Sequence, residues 1–159
     1  MGITIEVQKI SPEGLRFKGS LDAGELALDC EGVAPAGPLE YDLAAEVASR
    51  ELIVRGKLSL PIELVCSRCV KTYGAELRVP RYTFTRPITE REIIDLTDSV
   101  REDIIIALPL KPLCRKECKG LCPRCGRDRN LERCSCPSSI GDGRWGALEG
   151  LELPPEKDR

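Results

Sequence analysis

The distribution of cysteine constrains the fold of this chain more than any other feature of its sequence. Nine cysteines occur in 159 residues, and histidine is absent. Cys66 and Cys69 form one Cys-x-x-Cys pair, Cys30 stands alone, and the other six fall within residues 114–136. Two thiolates at Cys-x-x-Cys spacing on a tight turn can both reach one tetrahedral metal ion. The pattern therefore predicts a protein organised around metal–thiolate sites.

The beginning of the chain indicates which cysteine chemistry to expect. Residues 1–6 alternate apolar and polar side chains and contain neither the basic nor the apolar segment of a secretory signal peptide. The longest apolar run, residues 104–108, is too short to cross a bilayer. In the reducing cytoplasm, thiols stay available for metal ions. We therefore expect a cytoplasmic protein without a membrane partner, in which metal binding is favoured over disulfides.

The six clustered cysteines contain the strongest motif. In the segment from Cys122 to Cys125 the two thiols are three positions apart, and Gly126 permits the left-handed backbone conformation that such a turn requires. Cys134 and Cys136 follow after eight residues and can complete a four-thiolate site. The remaining two pairs, from distant parts of the chain, can form a second site. The predicted ligands are Cys66, Cys69, Cys114, Cys118, Cys122, Cys125, Cys134 and Cys136.

The expected cofactor is Zn²⁺ at two structural sites. Four protein ligands leave no open coordination position, which distinguishes a structural zinc site from a catalytic one. Spacing also permits another division, in which Cys114, Cys118, Cys122 and Cys125 form one site by themselves. An iron–sulfur cluster, a thioredoxin-like redox pair and disulfides are the chemical alternatives. Cys30 is expected to be a buried, small apolar side chain.

Alternating apolar and polar residues predict an antiparallel sheet. Residues 3–7, 39–47 and 52–60 each place apolar side chains at every second position, and the polar break at residues 49–51 is typical of a hairpin turn. Pro61 follows the third segment and cannot donate to a strand ladder. We therefore expect it at a sheet edge or a bulge.

A further strand is predicted over residues 77–84, in which the change of phase around Pro80 indicates a β-bulge. Cys66 and Cys69 precede this strand, so they are expected at the turn of a hairpin. Residues 19–37 are expected to form a short strand or helix with loops.

Over residues 95–108 the spacing of apolar side chains changes from that of a strand to that of a helix. Their apolar side chains recur at four-residue steps, and residues 99–102 resemble a capping box, which together predict an amphipathic helix. The fold class expected is α+β: an antiparallel β-sheet with one main covering helix and a C-terminal cysteine-rich zinc module. The sheet and helix are assigned to residues 1–110, the zinc module to 111–148 and a flexible tail to 149–159.

The charges favour binding over catalysis. The net charge is −2, but residues 1–110 hold 13 basic against 18 acidic side chains, whereas residues 111–159 hold 11 against 8. Basic residues thus accompany the clustered cysteines. Without histidine, Ser-His and Cys-His nucleophilic catalysis is excluded, and no carboxylate pair or phosphate-binding loop is evident. We therefore expect a protein that is not an enzyme.

Three motifs, in this order along the chain, resemble those of one protein family. They are Val65-Cys66-Ser67-Arg68-Cys69, Ile105-Ile106-Ala107-Leu108-Pro109-Leu110-Lys111-Pro112-Leu113-Cys114 and Cys118-Lys119-Gly120-Leu121-Cys122-Pro123-Arg124-Cys125-Gly126. The chain resembles the YceD family of large ribosomal RNA subunit accumulation proteins from about Leu39 to Leu148. It departs from the family pattern at Asp142-Gly143-Arg144, where Asp-Pro-Arg is usual, and at Arg129-Asn130-Leu131, where Asn-Leu-Asn is usual.

The resemblance implies a non-enzymatic role in the synthesis, processing or accumulation of 23S rRNA and in assembly of the large ribosomal subunit. The partner is then 23S rRNA, an assembly intermediate or a ribosomal protein. On this hypothesis, zinc sites orient basic turns toward RNA phosphates. The predicted RNA contacts are Arg68, Lys71, Arg115, Lys116, Lys119, Arg124, Arg127 and Arg129. The alternative is a protein-interaction module that docks a ribosomal protein or assembly factor without touching RNA.

Overall fold

The computed structural model describes residues 2–89 and 91–136. The predicted tail at 149–159, the end of the predicted module at 111–148 and the motif around Asp142 lie outside the described residues. The division into a core and a module therefore stays a prediction.

Antiparallel strands make up most of the described structure. The elements are β1 (Thr4–Glu6), β2 (Leu15–Leu21), β3 (Val33–Pro35), β4 (Leu39–Ala48), β5 (Glu51–Val65), β6 (Thr72–Pro87), β7 (Ile93–Asp95) and α1 (Thr97–Ala107), with short 3₁₀ turns at Val7–Lys9 and Ala23–Leu26. The long strand β5 pairs with β4 and then β3 along one side and with β6 along the other, while β2 pairs with β4. β1 and β7 form a separate two-stranded sheet. The predicted antiparallel sheet with one main helix is confirmed for these residues.

The alternation in the sequence determines which face of the sheet is buried. Leu52, Val54, Leu58 and Leu60 of β5 are buried, whereas the positions between them are exposed or half-buried. Helix α1 packs against β6 and buries Val100 and Ile104. Removing one face of the sheet and one stripe of the helix from water is the main stabilising contribution to this core.

Two predicted hairpin turns and one predicted bulge are confirmed. β4 and β5 are joined by Ser49 and Arg50, whose φ angles of 52° and 65° are those of the two-residue hairpin turn that matches strand twist. The predicted bulge lies where β6 passes Pro80, since the register there shifts between Gly56 and Leu58 of β5. The long β5–β6 hairpin ends at the turn that carries Cys66, as expected.

Three expectations about local structure were wrong. The capping box is absent because α1 begins at Thr97; the Asp95 side chain accepts a 2.8 Å hydrogen bond from the Thr97 amide, while Ser99 accepts one from the hydroxyl of Tyr82. Pro61 lies in the central strand β5 and not at an edge or a bulge. On one side of β5 the pairing with β4 reaches Ser59 and the pairing with β3 starts at Ile62, so Pro61 lies in the gap between them and its missing N–H interrupts neither ladder.

The third error concerns strands that sequence analysis overlooked. Residues 15–21 form β2, although the pattern predicts no strand over residues 15–18, and β7 precedes the helix unpredicted. In β2 the apolar alternation is interrupted by Gly19, which lies opposite Tyr41. A Cβ on Gly19 would lie 2.4 Å from the Tyr41 hydroxyl oxygen, so glycine makes room for the aromatic ring. Because glycine has no apolar side chain, the alternation that would indicate a strand is lost at this position.

Candidate metal centres and their basic surroundings

The first cysteine turn folds through two backbone hydrogen bonds. The amide of Cys66 donates to the carbonyl of Lys71 at 2.9 Å, and the amide of Val70 donates to the carbonyl of Cys66 at 2.9 Å. A third bond, from Ser67 N–H to the carbonyl of Pro112 at 2.8 Å, ties this turn to the segment that follows α1. The turn is therefore held close to the second pair of cysteines in the chain.

The second cysteine turn repeats the same pattern. The amide of Cys122 donates to the carbonyl of Arg127 at 2.8 Å, and the amide of Gly126 donates to the carbonyl of Cys122 at 2.8 Å. This arrangement brings Cys122 and Cys125 to one side of the turn, as the Cys-x-x-Cys spacing predicts.

The structure groups eight cysteines into two clusters of four. Within each cluster the four sulfur atoms all lie within 4.8 Å of one another. We call them cluster one (Cys66, Cys69, Cys114, Cys118) and cluster two (Cys122, Cys125, Cys134, Cys136). The alternative division, with residues 114–125 forming one site alone, does not occur. Cys30 is half-buried rather than buried and belongs to neither cluster.

The sulfur separations fit a tetrahedral metal site. In cluster one, the Sγ atoms of Cys66 and Cys118 are 3.9 Å apart, and those of Cys69 and Cys114 are 3.7 Å apart. Four sulfurs placed ~2.3 Å from a central ion at tetrahedral angles are separated by about 3.8 Å. A disulfide would instead require about 2.05 Å. The cluster therefore has the dimensions of a site for one ion with four thiolate ligands.

Hydrogen bonds from the backbone favour ionisation of thiols in both clusters. Hydrogen bonds from the backbone, chiefly that of Cys114, lower the pKa of Cys66 to about 6. Those of Cys125 and Arg124 lower the pKa of Cys122 to about 6. Since the thiolate is the form that binds metal, these hydrogen bonds favour the metal-binding form of a ligand in each cluster.

The clusters differ in solvent exposure. Cys66, Cys69 and Cys118 are 0–4% exposed and pack with Leu113 and Tyr73 into a small apolar core. In cluster two Cys122 is buried, Cys125 is exposed, and the other two are half-buried. An ion in cluster one would thus be enclosed by protein, whereas an ion in cluster two would lie close to water.

Three of the eight predicted RNA-contacting residues make internal contacts. Arg68 donates a 2.8 Å hydrogen bond to the carbonyl of Cys118, Lys71 forms a 2.7 Å ion pair with Asp128, and Arg115 donates to Asn130 at 2.8 Å. The Lys71 ammonium is the main reason that the pKa of Asp128 falls to about 2. These cations therefore also hold the two cysteine regions together.

The other five predicted contacts are exposed and make no side-chain hydrogen bond or ion pair within residues 2–89 and 91–136. They are Lys116, Lys119, Arg124, Arg127 and Arg129. One cation outside the predicted set, Arg133, lines a cavity of about 260 Å³ beside cluster two together with Lys119 and Arg129. The sequence feature that could have identified Arg133 is its position next to the ligand Cys134, three residues beyond Asn130. These cations surround the cysteine clusters and are free to meet anions.

A larger cavity, of about 660 Å³, lies elsewhere, on the solvent face of the sheet. Four of its six charged side chains pair with each other, Lys18 with Asp42 at 2.9 Å and Arg78 with Glu76, and the other two, Glu40 and Lys57, are of opposite sign. This internal neutralisation leaves little field for a charged ligand. We therefore assign the candidate site to the cysteine clusters.

No helix in the described ranges is long and apolar enough to span a membrane.

Comparison with known proteins connects the C-terminal half of the chain to one family. Residues 83–152 match the family model of the large ribosomal RNA subunit accumulation protein YceD. This segment contains α1 and every cysteine from Cys114 onward, whereas Cys66 and Cys69 precede it. The predicted resemblance to this family is thereby confirmed over residues 83–152, which contain the second and third motifs.

Alignments with individual proteins cover more of the chain than the family model does. An uncharacterized protein of Mycobacterium leprae is 28% identical over 168 aligned positions, which cover 96% of this chain and 73% of that protein. An uncharacterized protein of Mycobacterium tuberculosis is also 28% identical, covering 84% of this chain and 70% of its own length. The chloroplastic YCED homolog 1 of Arabidopsis thaliana, named as a large ribosomal RNA subunit accumulation protein, is 29% identical over 58 residues, or 36% of this chain and 18% of that protein. No solved structure matches the chain.

Proposed function

We propose that this chain, whose residues 83–152 match the YceD family model, is a non-enzymatic, zinc-binding factor for 23S rRNA accumulation and large ribosomal subunit assembly. It acts in the cytoplasm by contacting the phosphate backbone of ribosomal RNA. The observation that carries the proposal is the concentration of exposed cations, unpaired within the described part of the chain, around two four-cysteine clusters.

Zinc is the ion that suits these clusters best. Four thiolates at tetrahedral spacing select Zn²⁺ or iron–sulfur chemistry, and zinc with four protein ligands forms closed, structural sites. Such sites contribute directly to folding, since apparent zinc affinities of ~10–16 kcal/mol are available at pH 7. The segment from Cys114 to Cys136 needs this contribution because Leu121 and Leu131 are exposed and supply little core.

The distribution of free cations supports RNA as the ligand. Lys116, Lys119 and Arg124 lie on the rigid turns that the clusters define, so their charges are held in a fixed relation to one another. Phosphate contacts position a protein on nucleic acid and make the affinity strongly dependent on salt. With aromatic residues forming only 4% of the chain, stacking on unpaired bases is a minor contribution, and folded, backbone-rich RNA is the favoured target.

The test is binding of the zinc-loaded chain to 23S rRNA fragments at several salt concentrations. We expect log affinity to fall linearly with log salt, with a slope of roughly −0.7 to −0.9 per phosphate contact. The double variant R124Q/R127Q should lower both the affinity and the slope. A matched control, K57Q/R81Q, removes two exposed cations from the sheet and should change neither.

Two results would contradict the proposal. One is the absence of binding to any 23S rRNA fragment by the zinc-loaded protein. The other is binding that is insensitive to salt, which would favour the protein-docking alternative. That alternative draws on the exposed apolar side chains near the clusters, Leu110 at 99% and Leu131 at 73% exposure. Substituting these leucines with serine should leave RNA affinity unchanged if RNA is the direct partner.

A further inference from the structure

The loop that joins the two halves of cluster two makes its side-chain contacts with cluster one. It runs from Gly126 to Arg133, between Cys125 and Cys134. Its Asn130 donates from Nδ2 to the sulfur of Cys118 at 3.4 Å. The same amide accepts, through Oδ1, from the backbone N–H of Lys119 at 2.8 Å. A residue held between ligands of one cluster thus touches a ligand of the other.

The orientation of the Asn130 amide is fixed by its neighbours. Asp128 Oδ1 accepts from both the Asn130 backbone N–H at 2.8 Å and Nδ2 at 2.7 Å. Arg115 donates to Asn130 Oδ1 at 2.8 Å. Because every polar atom of the amide has a partner, its N–H points at the Cys118 sulfur in one defined arrangement.

Asp128 carries the connection to the other half of cluster one. Its carboxylate is 12% exposed and forms a 2.7 Å ion pair with Lys71, two residues beyond Cys69. Backbone hydrogen bonds run in parallel, from Leu121 N–H to the carbonyl of Arg68 and from Arg129 N–H to that of Gly120, both at 2.9 Å. The loop therefore reaches both ligand pairs of cluster one.

This arrangement has a thermodynamic consequence. An ion in cluster two fixes both ends of the loop, at Cys125 and Cys134, so the entropy cost of ordering it is met before it contacts cluster one. An N–H directed at a metal-bound thiolate stabilises the thiolate, and loss of such outer contacts lowers metal affinity by about 10–100-fold. Coupling between two binding sites is reciprocal by linkage.

We propose that Asp128 and Asn130 form a clamp through which occupation of cluster two strengthens metal binding at cluster one, and the reverse. This inference rests on the proposal that both clusters hold zinc. Asn130 is a positioning residue in this device, since it orients and stabilises the Cys118 thiolate without binding the ion.

The test uses the full chain loaded with ¹¹³Cd²⁺, which replaces zinc and gives a separate NMR signal for each four-thiolate site. Chelator competition then measures the affinity of each site. Emptying cluster two with C134S/C136S should lower the affinity of cluster one about 10–100-fold. N130A, with cluster two intact, should lower the affinity of cluster one by a similar factor and shift only its cadmium signal.

Two controls separate coupling from a general loss of structure. L131A changes the neighbouring loop residue, which is 73% exposed, and should leave both signals and affinities unchanged. In the N130A background, C134S/C136S should reduce the affinity of cluster one much less than it does in the wild-type chain. Such non-additive effects on the affinity of cluster one show that the substitutions act through the same contacts and not independently.

Different failures have different meanings. If C134S/C136S leaves the affinity of cluster one unchanged, or if N130A moves both cadmium signals equally, the clamp is overturned while zinc binding and the RNA proposal stand. If neither cluster binds cadmium or zinc, the proposed metal sites fail, and the clamp fails with them. Loss of RNA binding alone leaves the clamp intact.

Discussion

Val70 and Gly126 occupy equivalent positions in the two cysteine turns, with φ angles of 59° and 70°. Each donates its amide to the carbonyl of the first cysteine of its turn, Cys66 or Cys122. Glycine adopts this left-handed conformation without strain, whereas a β-branched residue in it is a clear outlier. Since 64% of the Val70 side chain is exposed, packing offers little compensation for the strain.

Replacing Val70 by glycine should therefore stabilise the protein. Relief of left-handed strain contributes about 1–2 kcal/mol, and the extra flexibility of glycine in the unfolded chain offsets about 0.5–1 kcal/mol. We expect the free energy of unfolding of the zinc-loaded chain to rise by roughly 1 kcal/mol, measured by denaturant titration. The reciprocal variant G126V should lower it. A destabilised V70G would show that the valine side chain makes a contact worth more than the strain.

An added methyl group at Gly120 should destabilise the fold. Its φ is +71°, and a Cβ there would lie 2.8 Å from the carbonyl oxygen of Arg68, which accepts the amide of Leu121. G120A should lower the free energy of unfolding by about 1–3 kcal/mol from backbone strain alone. The matched control is G74A on β6, where a Cβ meets nothing within 4 Å. Equal stability of the two variants would contradict this assignment.

The sequence predicted those parts of the fold that depend on local periodicity. Strands β4 and β5 alternate cleanly because one face is buried along their length, and the turn at Ser49 and Arg50 follows from the polar break between them. β2 was not predicted because Gly19, which makes room for the Tyr41 ring on the neighbouring strand, interrupts its apolar alternation. β7 has only three residues, too few for a period to emerge.

The candidate site was predictable in its ligands but not in its connections. Cys-x-x-Cys spacing identifies pairs, while the grouping of Cys66 with Cys118 depends on where the β5–β6 hairpin and the end of α1 meet in space. The ion pair between Lys71 and Asp128 joins residues 57 positions apart in the sequence, and no local pattern encodes it. For the same reason, the sequence shows Asn130 only as part of a motif and does not indicate its hydrogen bond to Cys118.

Acid titration of the sheet provides a test away from the cysteines. The hydrogen bond from Arg16, then that from Lys18, holds the pKa of Asp42 well below its ordinary value, and all three charges are on the solvent face. The stabilising effect is fully present above the unfolded pKa of ~3.9 and is lost as the pH falls through the lower folded value. R16A should raise the pKa of Asp42 toward its ordinary value, observed by ¹³C NMR of the carboxyl group. K9A, which removes the partner of Glu6, should leave it unchanged.

Chelation should remove the two metal ions in separate steps. Cluster two has an exposed Cys125 and two half-buried ligands, so a chelator can attack its ion directly, whereas three cluster-one ligands are at most 4% exposed. We expect one equivalent of zinc to reach a colorimetric chelator quickly and the second slowly. In C134S/C136S the fast step should vanish. N130A should accelerate the slow step, because the Cys118 sulfur then loses its hydrogen-bond donor. Release of both equivalents in one step from the wild-type chain would mean that exposure of the ligands does not control access to the ions.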